Sequence, residues 1–110
     1  MPILKTNKKP NPEPFLLLYL TKAKFAKVSL CDYDRLAKHK WFAKASFSKL
    51  YAARWQYKKT GKQILFMHRF IMSAPKNLVV HHKNGDSLDN RRSNLELMPE
   101  YDHIKVHSWR

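Results

Sequence analysis

The chain has a single cysteine, Cys31, so no intramolecular disulfide can form and no Cys-x-x-Cys zinc knuckle can be built. Nothing in it asks for an oxidising compartment, and a cytoplasmic setting is expected. It also lacks any apolar run near the roughly 18 residues that a membrane helix needs. The run "FLLLYL" at 15–20 is strand-sized, and the prolines before it argue against a signal segment, so no membrane partner is expected. Acid is scarce as well, with 8 Asp and Glu against 22 Lys and Arg, a formal net charge of +14. Solubility does not require so large an excess, which points first to a polyanionic partner, nucleic acid. Composition alone leaves open a generally basic, ribosome-type scaffold. There is no internal repeat and no low-complexity tract beyond the first residues.

What is present suits one compact domain or two small lobes: 110 residues, 44% of them hydrophobic. Residues 1–14, with four prolines and three lysines, read as a flexible basic arm. In "AKFAKVSL" the residues Ala26, Val28 and Leu30 alternate with Lys27 and Ser29, the period of a half-buried strand. "CDYDRLAKHKW" follows as a short helix with Asp32 as a candidate cap and Tyr33, Leu36 and Ala37 as its packing stripe. Trp41 and Phe42 open another strand. In "LYAARWQYK" an aromatic face of Tyr51, Trp55 and Tyr57 alternates with a polar, cationic face of Arg54, Gln56 and Lys58. "KKTGK" then turns into "QILFM", so residues 15–67 are expected to form a small antiparallel β-rich lobe with one short helix. A sheet face bearing Arg54, Gln56 and Lys58 would suit a duplex, as in β-ribbon readers, or would simply be solvated. Further on, "HRFIMSAP" reads as a helical turn, "LVVHH" as a strand, "KNGDSLDNRRS" as a long polar loop, "NLELM" as a second strand and "PEYDHIKVHSW" as a terminal helix.

Four of the six histidines fall in this last third. His103 and His107, four apart on the expected helix, lie on one face within reach of a single ion, a spacing that zinc enzymes use. His81 and His82, adjacent on a strand, point to opposite sides, so a division of labour is expected. If the strand packs on the helix, His81 completes a three-histidine set and His82 stands by as a neutral base, its ordinary pKa of about 6.5 suiting proton removal at neutral pH. The alternative is a pair of sheet histidines satisfied by backbone carbonyls. Asn84, Asp86, Asp89, Asn90 and Asn94 are short polar side chains able to stiffen the intervening loop, and Arg91 and Arg92 could clamp phosphates, or merely cover the surface.

The stretch "MHRFIMSAPKNLVVHHKNGDSLDNRRSNLEL" resembles the HNH nucleases of the His-Me finger (ββα-metal) group, particularly phage and homing-type members, which read as an Asp-His or His-His pair, then "NGD", "LDNR" and "NL". Lys24 to Met67 is similar to the small β-rich lobe that precedes the motif in many phage HNH proteins. Homing-type members carry Asp where His81 stands and asparagines where His103 and His107 stand. Here the ligand set resembles instead that of the colicin-type DNases. The resemblance implies an α+β fold in which the β-rich lobe precedes an HNH motif at 68–110. It implies His81, His103 and His107 as metal ligands, His82 as general base and Asn94 as the asparagine that braces the loop. Arg54, Lys58, Arg69, Arg91 and Arg92 become candidate contacts to double-stranded DNA. Three imidazoles favour zinc, while magnesium, manganese or nickel stand as alternatives for the working ion. The expected activity is endonucleolytic phosphodiester hydrolysis leaving 5′-phosphate and 3′-hydroxyl ends, in a phage or mobile-element protein acting in a bacterial cell. A monomer would nick and a homodimer could break both strands. The rival expectation is a DNA-binding protein whose histidines hold a structural metal.

Overall fold

Ala26 and Val28, the inward positions of the period-two pattern, are fully buried on β2 (Phe25–Ser29), which pairs antiparallel with β1 (Phe15–Tyr19). The computed structural model describes residues 11–100, so the arm expected at 1–14 is seen only in its last residues; of the expected terminal helix, Pro99 instead ends a strand, and the part with His103 and His107 lies outside the described residues. The alternation fails at Leu30, which is exposed, while Ser29 is buried. The cause is a change of period: Leu30 opens α1 (Leu30–Ala37), and the extended Ser29 occupies its N-cap position. Asp32 is not the cap but a buried carboxylate in the first turn. Of the expected packing stripe, Leu36 is fully buried, Tyr33 half-buried and Ala37 exposed.

Trp41 is buried and its Nε1 donates to the Leu36 carbonyl at 2.8 Å, tying α1 to the next sheet. That sheet runs β3 (Phe42–Ser46), β4 (Lys49–Lys58) and β5 (Gly61–Phe66), all antiparallel, with Phe42, Ala53 and Phe66 in register across it. The two faces of β4 are disposed against the expectation. Ala52 is fully buried, and the Arg54 guanidinium lies 5.5 and 5.3 Å from the ring centres of Trp41 and Phe70, so at its base the nominally polar face is the one turned onto the core. Trp55 and Tyr57, on the aromatic face, are exposed. A guanidinium is attracted to the faces of aromatic rings, and its carbon stem covers apolar surface on the way.

After β5 comes α2 (Met67–Met72), ended by Ser73 in the left-handed conformation. β6 (Leu78–His82) pairs antiparallel with β8 (Leu95–Pro99), bringing Val80 opposite Leu97 and His82 opposite Leu95. This is the expected strand, loop, strand order. The loop contains an element that the sequence pattern did not suggest: β7 (Asp89–Asn90) lies parallel to β2, Asp89 beside Lys27 and Asn90 beside Val28. One hydrophobic cluster, from Leu18, Val28 and Leu36 through Met67 and Ile71 to Val80 and Leu95, sits beneath both the β-rich segment and the strand–loop–strand unit.

Candidate active site

Alternation along β6 buries Val80 and His82 and leaves Val79 and His81 half-buried on the other side of the strand. Both histidines still line one cleft of about 970 Å³, whose far wall is made by Lys49, Tyr51, Phe66 and His68. His82 is 8% exposed and packs against the rings of Tyr51 and His68, at centroid distances of 6.2 and 5.0 Å. Its Nε2 lies 2.8 Å from Asn90 Oδ1. A carbonyl oxygen only accepts, so Nε2 carries the hydrogen and Nδ1 keeps its lone pair. Burial, with the nearby Lys49 ammonium, holds the His82 pKa below its ordinary value, and the bond to Asn90 partly opposes that. The ring is held in one tautomer, tilted against Tyr51 and edge-on to His68.

Asn90 and His68 are the site residues that sequence reasoning missed. Asn90 was expected only to stiffen the loop; what aims its side chain at His82 is the parallel pairing with Val28, which fixes the backbone from the far side. His68 is 9% exposed, its Nδ1 is buried without a hydrogen-bond partner among the described residues, and burial beside His82 and Arg69 pushes its pKa to about 3. The only signal for it in the sequence was a polar residue at the start of a short helix.

The loop between β6 and β8 is stiff for the expected reason. Asn94, 2% exposed, accepts the Asn84 backbone N–H at 3.1 Å and donates to Asn84 Oδ1 and the Asp89 carbonyl, both at 2.9 Å. Asn84 Oδ1 accepts the Asp86 N–H, and Asp86 Oδ1 accepts the Leu88 N–H, two successive side-chain turns around Gly85, whose φ is +80°. Ser87 donates to the Leu50 carbonyl, fastening the loop to β4.

The arginines expected to clamp phosphates are turned to other work. Arg91 is 3% exposed: its Nε and one terminal nitrogen bind both oxygens of the fully buried Asp89 at 2.8 and 2.7 Å, and the other terminal nitrogen donates to the carbonyls of Asn11 and Glu13. Four of its five N–H donors are used in this way and the group is buried, so it is not presented to a phosphate: Arg91 is a structural residue rather than a DNA contact. Arg92 holds Asp32 in a bidentate pair, both contacts at 2.9 Å, with half of its side chain in solvent. These arginines hold the Asp89 and Asp32 carboxyls below their ordinary values against the opposing effect of burial. Arg69 donates to the carbonyls of Leu78 and Pro75 at 2.8 Å, closing the connection from α2 to β6. Arg54 lies on the core rings, and Lys58 is exposed at the end of β4.

Of the three expected metal ligands only His81 is described, on the wall of the cleft; His103 and His107 lie outside the described residues. Among the described residues no group of three or more His, Cys, Asp or Glu side chains is placed to hold an ion. No curated protein and no solved structure matches the chain significantly. Residues 73–104, which span β6, the braced loop and β8, match the family model described as HNH endonuclease, in support of the HNH superfamily.

Proposed function

We propose that the protein is a metal-dependent HNH endonuclease that hydrolyses phosphodiester bonds in double-stranded DNA, with His82 as general base. One observation carries this reading: His82 is buried, lines a cleft and is bonded through Nε2 to Asn90, so Nδ1 is the nitrogen left to take a proton. In this reading Nδ1 removes the proton from a water attacking phosphorus in line, and the imidazolium charge that develops is shared with the Asn90 carbonyl. A lowered pKa keeps the base unprotonated below the usual histidine range. Asn94 keeps the loop, and so Asn90, in place. His81, with His103 and His107, would hold a divalent ion; three imidazoles fit zinc or nickel, and manganese or magnesium more weakly. The ion would supply Lewis-acid stabilisation of the charge on the phosphate and the departing 3′ oxygen. Products carry 5′-phosphate and 3′-hydroxyl ends, and a single site nicks.

The test is conversion of supercoiled plasmid to open circle with zinc, nickel, manganese, magnesium or chelator present, by the wild type and by His82→Ala. Loss of a general base costs about 10²- to 10⁴-fold in rate, so nicking should vanish in the variant while DNA binding and metal content stay. A wild type that binds DNA but cuts with no ion defeats the reading and leaves a silent binder.

A further inference from the structure

The register of the β3–β4–β5 sheet puts Lys44, Lys49 and Lys62 on one face together with Phe42, Trp55 and Tyr57. Tyr57 is 75% exposed and Trp55 43%, a large aromatic area to leave in water on so small a protein. The opposite face is committed at its base to the core through Ala52 and Arg54. The uncovered face bears no carboxylate, and the sequence has no Asp or Glu at all between Asp34 and Asp86. It is also continuous with the cleft: Tyr51, on the same side of β4, lies against the rings of His68 and His82, and Ser46, Lys49 and Phe66 help to line the cavity.

We infer that this open aromatic and cationic face is where duplex DNA docks, laying its backbone along β4 so that one phosphate enters the His82 cleft. The inference takes its occupant from the nuclease reading and adds a surface that the matched stretch at 73–104 does not contain. Its geometry suits a duplex. Beyond Ala53, β4 pairs only with β5, so the outer part is a two-stranded ribbon ending in the lysine-rich turn, the shape that enters a major groove about 12 Å wide. From Tyr51 to Tyr57 the strand advances roughly 20 Å, a little over half a turn of duplex. A single strand fits less well, because Lys62 Nζ stands 4.5 Å above the Trp55 ring and occupies a surface on which an unpaired base would stack. The same cation is well placed for a phosphate.

The deciding experiment is equilibrium binding of a fluorescent 30-base-pair duplex with metal chelated, so that nothing is cut, across a range of salt. Replacing Lys44→Ala and Lys62→Ala together should weaken binding by about tenfold at moderate salt and make the slope of log K against log salt shallower by about two. The pair Lys24→Ala and Lys76→Ala removes the same charge from exposed positions outside this sheet and its turn, and should change affinity less than about twofold. Tyr57→Ser, an exposed position, checks the face without touching a lysine and should also weaken binding. Equal losses in the two lysine pairs, or a single strand that displaces the duplex, would overturn the inference. The two readings fail separately. A protein that binds through this face and never cuts loses the nuclease and keeps the surface, whereas one that cuts, with the Lys44 and Lys62 double variant binding as tightly as wild type, keeps the nuclease and loses the surface.

Discussion

Around the cleft, the loop that ends β6 and the sheet of β3 to β5 spend their cations in opposite directions. In the loop, Arg91 faces Asp89 at 2.7 Å with neither side chain more than 4% exposed, and Arg92 clasps the buried Asp32. On the sheet, Lys49 and Lys62 are exposed, Lys62 above the Trp55 ring, with no carboxylate on that face. Paired charge inside makes a loop rigid; uncompensated charge outside makes a surface that attracts anions. A net charge of +14 therefore overstates how many cations face a ligand near the site and understates how they are placed.

The contrast can be broken most sharply at Asp89. Asp89→Ala leaves the Arg91 guanidinium buried with its main acceptor gone, and should cost about 3–5 kcal/mol, read as a lower urea midpoint. If the loss is under about 1 kcal/mol, the loop is not held by this pair. Next in size is an effect of acid at His68. Its folded pKa of about 3 lies below the ordinary value for an unfolded chain, so between those values the unfolded state binds the extra proton. The stability this histidine contributes is complete above about pH 6.5 and falls as pH drops toward 3. His82 shifts in the same direction. Between pH 7 and 4.5 the chelator-treated wild type should lose about 2–3 kcal/mol more than His68→Phe, by denaturation at both pH values. Matching losses would mean that His68 is not held neutral. The smallest effect belongs to the open sheet: Tyr57→Ser should change stability by no more than about 0.5 kcal/mol, which keeps its DNA-binding readout clean.

Period-two patterning located β2 and β4, and the strand, loop, strand order around the histidine pair was legible because turn residues and apolar runs are local signals. Asn94 was legible for the same reason, since a short amide in a long polar loop has few other uses. What could not be read depends on contacts between distant parts of the chain. No local pattern marks two residues of β7 that pair with β2, and without that pairing Asn90 has no reason to be singled out. Nor does an arginine announce its direction: Arg91 and Arg92 are neighbours of one chemical type, and only the positions of Asn11, Glu13 and Asp32 decide that one is swallowed and the other half-exposed. The alternation on β4 is plain in the sequence, but which side meets the core follows from Trp41 and Phe70, which lie elsewhere in the chain.

The parallel contact between β2 and β7 also bears on how such a chain could be rearranged by recombination. The stretch that carries the histidine pair reads as a cassette, yet the asparagine that sets the base's tautomer is seated by Val28, and its neighbour Arg91 is anchored to carbonyls at Asn11 and Glu13. Grafted onto a foreign scaffold, the cassette would keep its letters and lose its alignment unless the host supplied an equivalent strand edge.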